Sequence, residues 1–481
     1  MYLAGVMIVG GSSLRIRATH RHISLFPSVE SAPFHVFNLK SHFQKWNHPP
    51  KKLSFNSIAG NTNLRFSVAA SASSPSLDAG TGSDYSDKLF GPRQKHKKKK
   101  KLAGIDQDEL LDPIQLADPD SCFCEFNEIH VHHKVCEPES STTNSQANKI
   151  GLPMILLHGF GASLFSWHKV MKPLACVTGS KVLAFDRPAF GLTSRTEPSR
   201  DKPLNPYSTI FSTLATLFFI ESLTAEKAIL VGHSAGAIIA VNAYFEAPER
   251  VAALILVAPA IIAPLMAPKA RKNKSQISST TVTKNPFIML FSLFSKFYKF
   301  IVLGIMSMLR NLFNFVNSIY KKTLSAILLS GFGVMLVRIL IDKFGISAVR
   351  SAYYDPNKVP DHVLHGYTKP LKAKGWDRAL VEFTVALLAD QDTRSNPSLT
   401  SRLEEISCPV LIITGDTDRL VPSWNSEKLS RALPGSFLEI IKNCGHMPHE
   451  EKSEEFISIV EKFLQGVFFR SSHDLRYNPG T

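Results

Sequence analysis

The chain has 481 residues, of which 44% are hydrophobic, and a formal net charge of +15. That length exceeds a typical single domain, and the apolar content is ordinary for a globular protein. The basic excess comes with no zinc-finger, homeodomain or RNP-type signature, which excludes nucleic acid as the expected partner; an anionic membrane surface better matches basic residues beside long apolar runs.

Residues 1–72 carry Arg15, Arg17, Arg21, Lys40, Lys45, Lys51, Lys52 and Arg65 against a single acid, Glu30, and are dotted with serine. That is the composition of an organelle transit peptide, and Val68-Ala69-Ala70-Ser71-Ala72 offers small residues for processing. Weak helical amphipathicity and many hydroxyls favour a plastid over a mitochondrion. Residues 73–120 read as a basic linker without structure of its own. Its centre, Lys95-His96-Lys97-Lys98-Lys99-Lys100-Lys101, is a like-charge run that cannot fold by itself. It is either a solvated tail or an electrostatic tether to an anionic bilayer.

A globular domain is predicted over 121–260 and 393–470. Phe123 to Val135 reads as an antiparallel hairpin at a sheet edge. Cys122, Cys124 and Cys136 interleave with His130, His132 and His133 there, but the spacings fit no common zinc pattern, so no metal is expected. The six cysteines suggest no disulfide framework. Met154–Leu157, Val182–Phe185, Ala228–Val231, Ala253–Val257, Val410–Thr414 and Phe437–Ile441 are all-apolar or nearly so, and alternate with helical stretches. The prediction is an α/β fold with a doubly wound, mostly parallel sheet. Residues 471–481 read as a flexible tail.

Gly232-His233-Ser234-Ala235-Gly236 joins an apolar strand to an apolar helix. This is the setting of a G-x-S-x-G nucleophile elbow, in which a sharp turn exposes the serine hydroxyl at the carboxyl end of the sheet. His158-Gly159-Phe160-Gly161 follows the first buried strand. Gly415, Asp418 and Pro422 meet a G-x-x-D-x-x-x-P pattern, and Gly445, His446 and Pro448 a G-H-x-P pattern.

Together these residues resemble those of the α/β-hydrolases, over roughly Cys122 to Gly466. The resemblance implies Ser234 as nucleophile, His446 as base and Asp418 as the acid that orients it. The backbone N–H groups of Phe160 and Ala235 would form the oxyanion hole. Asp416 is a rival for the acid and His449 for the base; the motif spacing favours Asp418 and His446. His158 and His233 read as structural, and Asp186 and Arg187 as pins for a loop. Serine at the elbow points to acyl chemistry, whereas relatives that open epoxides carry aspartate there. No cofactor is implied.

Residues 261–392 read as an inserted helical cap. From Pro286 to Lys322, Ser292, Lys296, Lys299, Ser307, Arg310, Asn314, Asn317 and Lys321 fill a polar arc of roughly 80° on an otherwise apolar helix. Such a helix spans a membrane, packs inside the cap, or lies in a membrane interface; the interfacial reading accounts for both the wide apolar face and the lysines. Tyr353, Tyr354 and Trp376 are candidates to line an acyl or prenyl tunnel, or else are core aromatics. The cap resembles plastid-targeted plant esterases that release phytol or supply prenyl alcohol for tocopherol, though His233 stands where dephytylating relatives carry asparagine. The expected substrate is a hydrophobic long-chain, prenyl or phytyl ester. The alternatives are a galactolipid or acylglycerol lipase, and a non-catalytic binding protein of the same fold.

Overall fold

The structure is a computed structural model that describes residues 101–139, 149–196, 204–262, 286–393 and 399–469. The segment 1–72 read as a transit peptide, the lysine run before Lys101 and the tail 471–481 lie outside the described residues.

The described chain opens with β1 (Lys101–Leu102) paired antiparallel with β2 (Ile105–Asp106). The domain sheet then takes β3 (Cys122–Phe126), β4 (Ile129–Cys136), β5 (Met154–Leu157), β6 (Val182–Phe185), β7 (Ala228–His233), β8 (Val251–Val257), β9 (Val410–Gly415) and β10 (Phe437–Ile441). Its order is β10-β9-β8-β7-β5-β6-β4-β3. Pairing is antiparallel at β3–β4 and β4–β6 and parallel everywhere else. The predicted edge hairpin is present, turning on Asn127 and Glu128, both at positive φ. This is the predicted doubly wound sheet.

All-apolar strands arise because both faces are covered. Ile155, Leu157, Leu230, Leu254 and Ile412 pack on one side with Phe211 and Phe219 of α2 (Thr209–Ser222) and Ala240 of α3 (Ala235–Glu246). Met154, Leu156, Val231, Ile255 and Ile413 pack on the other side. Their partners are Leu174 of α1 (Met171–Thr178) and Phe456, Val460 and Leu464 near the C-terminus. Each such fully buried side chain contributes about 1.5–3 kcal/mol.

Between β8 and β9 lie the helices of the cap. They are α4 (Pro286–Leu329), α5 (Gly331–Ser351), α6 (Asp361–Thr368) and α7 (Trp376–Thr393). At 44 residues, α4 reaches about 66 Å. The core closes with α8 (Ser423–Ala432), α9 (Pro448–Glu451) and α10 (Ser453–Phe468).

The linker expectation is corrected at its end. Residues 101–120 are not free of structure but fold onto the cap. Leu102 and Ala103 pack with Trp376, and Ala103 N–H donates to Asp342 Oδ1 on α5 at 2.8 Å. Asp112 caps the short 3-10 helix Pro113–Leu116.

Candidate active site

β7 delivers Ser234 into the turn before α3. The turn is tight enough to exclude side chains on both flanks. A Cβ on Gly232 would lie 2.6 Å from Ala237 Cα, and one on Gly236 would lie 2.2 Å from the Leu157 carbonyl oxygen. Ser234 itself is held at φ 51, ψ −116, a conformation L-residues rarely adopt. Its N–H donates to the Val257 carbonyl at 2.9 Å, and its carbonyl accepts from Ala260 at 3.1 Å, which locks the turn to the end of β8.

Past β9, Asp418 accepts the N–H groups of Leu420 at 2.8 Å and Val421 at 2.9 Å through Oδ1. That fixes the carboxylate so that Oδ2 meets His446 Nδ1 at 2.7 Å. Both side chains are buried. A carboxylate at Nδ1 holds the proton there and leaves the Nε2 lone pair free. Asp416 turns the other way: its Oδ1 accepts the Cys444 N–H at 3.3 Å. The structure therefore pairs Asp418, and not Asp416, with His446.

His446 is seated among other imidazoles beside the elbow. The His233 and His446 rings lie 4.8 Å apart, and His233 Nε2 donates to the His446 carbonyl at 3.0 Å. His449 packs at 4.2 Å on Trp167, wholly buried. Burial, with His446 close by, pushes the His449 pKa down to about 3 and leaves it neutral. His233 is likewise driven well below the usual range by burial and its histidine neighbours.

The loop after β5 runs against the nucleophile. A Cβ on Gly159 would come within 3.1 Å of Ser234 Cβ. His158 holds this loop in shape: its Nε2 accepts the Arg187 N–H at 3.1 Å, so its Nδ1 carries the proton donated to the Gly159 carbonyl at 2.8 Å. Burial and the Arg187 charge lower its pKa to about 4. Phe160 follows Gly159 directly, and Ala235 opens α3, where a helix's first N–H groups have no partner within the helix. Asp186 braces the same loop from behind. It accepts Leu164 N–H and Leu192 N–H, each at 2.7 Å, and pairs with His132 at 2.7 Å. Arg187 stacks over Phe190, its pKa lowered by burial to about 10.

The aromatic candidates in the cap divide. Tyr353 is buried and its hydroxyl donates to Glu450 Oε2 at 2.6 Å. Trp376 is buried against Leu102 and Ala103, and its Nε1 donates to Gln107 Oε1 at 3.2 Å. Neither is placed as a tunnel wall; both fasten the cap. Tyr354 is exposed, with its N–H held by Glu451 Oε2 at 2.6 Å. Sequence reading missed Phe190 and Phe383, which pack edge-on at 4.8 Å and both touch Phe160. It also missed Glu450, Glu451 and Tyr367. The acid pair two residues after Pro448 was a visible signal.

Fold and site together define the chain as an alpha/beta hydrolase by architecture. The chain belongs to the family described as alpha/beta hydrolase fold, whose profile matches residues 153–453. It is 41% identical over 80 residues to a 2-succinyl-6-hydroxy-2,4-cyclohexadiene-1-carboxylate synthase assigned in Bacillus subtilis, a match that spans 17% of this chain and 29% of that protein. It is 23% identical over 314 residues to the uncharacterized hydrolase YugF of Bacillus subtilis, over 65% of this chain and 89% of that protein. Among solved structures, a membrane phospholipase A described as a bacterial virulence factor is similar at 18% identity and a TM-score of 0.47, over 74% of this chain and 89% of that one.

Proposed function

We propose that this protein is a serine hydrolase of carboxylic esters, with Ser234, His446 and Asp418 as its catalytic residues. The observation that carries the reading is the 2.7 Å Asp418–His446 bond, because it sets the proton on Nδ1 and leaves Nε2 as the base, on a loop whose His446 carbonyl is bonded to His233, the residue before Ser234. Ser234 Oγ attacks the ester carbonyl carbon while its proton passes to His446 Nε2. The oxyanion so formed is held by the N–H groups of Phe160 and Ala235. The carbon–oxygen bond to the alcohol then breaks, and His446 gives its proton to the departing alkoxide. A water, deprotonated by His446, attacks the acyl-enzyme, and Ser234 leaves with that proton.

The substrate proposed is a hydrophobic ester with a long acyl, prenyl or phytyl tail, and the site of action a plastid. The aromatic cluster of Phe160, Phe190 and Phe383, beside the loop that runs against Ser234, supports the first, and the Arg- and Ser-rich leader supports the second. A galactolipid or acylglycerol lipase remains the second reading, since the same aromatics suit an acyl chain. Incubating plastid lipids with the purified protein and with Ser234→Ala tests both. Loss of phytyl or prenyl esters only with the wild type is expected. Loss of glycerolipids instead selects the lipase, and identical lipid profiles for the two proteins overturn the hydrolase.

A further inference from the structure

Between Phe300 and Tyr320, every described residue of α4 other than Asn317 is exposed. Most are large and apolar: Phe300 is 74% exposed, Met308 72% and Phe313 70%. The exposure continues on α5 at Phe332, Met335 and Phe344. The C-terminal part of α4 is seated on the cap, where Lys321 Nζ reaches the Leu388 carbonyl at 3.5 Å and Arg378 donates to the Leu329 carbonyl at 2.9 Å. A helix apolar around most of its circumference is ordinarily covered by protein or by lipid.

Charge identifies the covering. From 286 to 341 the chain has no aspartate or glutamate, while Lys296, Lys299, Arg310, Lys321, Lys322 and Arg338 are basic. Lys101, the last of the lysine run, enters beside the same arm, two residues before the Ala103–Asp342 contact on α5. Past 341 the arm carries one acid, Asp342, which accepts the Ala103 N–H, and an apolar arm so rich in positive charge complements an anionic lipid surface. Lys321 is held by the cap, whereas Arg310 and Lys322 are exposed and available to headgroups when the apolar faces sink by about 5–10 Å. No single helix among the described residues is long and apolar enough to cross a membrane; Val302–Leu329 and Gly331–Ser351 reach that length and apolarity as a pair, bent by 73° from one another.

We propose that the α4–α5 arm docks in the interface of an anionic bilayer and lies along it. The inference rests on exposure and charge, independently of the esterase reading, so it is measured by binding. The full chain is floated with phosphatidylcholine vesicles with and without phosphatidylglycerol, and turnover of a soluble p-nitrophenyl ester is followed in parallel. Flotation is expected with phosphatidylglycerol, and Arg310→Glu/Lys322→Glu should weaken it by about ten-fold or more. In high salt, where the lysine run is screened, residual binding should persist in the wild type and vanish in Phe313→Ser/Phe315→Ser. These side chains are exposed, so ester turnover should be unchanged and report intact folding. Flotation that both variants leave unchanged overturns the proposal. So does a lipid-free dimer of the full chain that Phe313→Ser/Phe315→Ser dissociates without altering flotation, because the arm's occupant would then be a second copy.

Discussion

Tyr353, two residues past the end of α5, donates its hydroxyl to Glu450 Oε2 at 2.6 Å, four residues beyond His446. Tyr367 of α6 donates to the other carboxyl oxygen, and His446 N–H donates to the Ala352 carbonyl at 2.6 Å. The cap and the histidine loop are thus bonded to each other at successive residues. Burial pushes the Glu450 carboxyl up to about 7, although two hydroxyls favour its charged form. A raised folded pKa means the folded chain keeps a proton that the unfolded chain has lost. The stability this group contributes is therefore full below about 4.5 and falls as pH rises to about 7. The loss is about 3 kcal/mol by the size of the shift. Glu450→Gln should gain thermal stability on the wild type as pH rises through that window. Melting curves that stay parallel from pH 4.5 to 8 would contradict the assignment.

Backbone strain at Ser234 makes a second expectation. At φ 51, glycine is at ease and alanine is not. Ser234→Gly should be more stable than Ser234→Ala by about 1–2 kcal/mol, with both inactive. Urea midpoints of the two variants measure it, and equal midpoints would show an unstrained turn.

Asp418→Asn should cost around 10⁴-fold in turnover, because an amide NH₂ facing Nδ1 selects the wrong imidazole tautomer. Asp416→Asn should cost far less, since its oxygen serves only the Cys444 N–H. Steady-state rates on one soluble ester decide between them; the reverse ranking would remove Asp418 from the proposed catalytic residues.

Residues 1–72 fused to a fluorescent reporter should carry it into chloroplasts and be removed there. Microscopy and the size of the imported product check this. Reporter found in mitochondria or along the secretory route would defeat the plastid proposal.

The sheet was legible because strands buried on both faces must be apolar throughout, as Met154–Leu157 and Val182–Phe185 are. The elbow was legible because its turn admits only glycine at Gly232 and Gly236. Tyr353 and Trp376 were not assignable to a task, since an aromatic reads alike whether it walls a tunnel or fastens a helix. What separates the two is a partner distant in sequence: Glu450 for one and Gln107 for the other. The hairpin at Lys101 was hidden by its own lysines and by Ala103, a residue type that does not announce its positive φ of 49.

That hairpin has a consequence for where the folded unit starts. Leu111 N–H donates to the Lys372 carbonyl and Leu111 carbonyl accepts from Lys374, at 2.9 and 2.8 Å. Gln107 Oε1 receives both Trp376 and Arg338. The stretch ahead of the first sheet strand is stitching for the roof, and it reaches the walls where Asp118 and Asp120 pair with Lys134 and Ser121 meets His132 on β4. A protein trimmed back to Cys122 would keep every strand of its sheet yet bare the Trp376 face. Its roof would loosen first, about 250 residues along the chain from the cut.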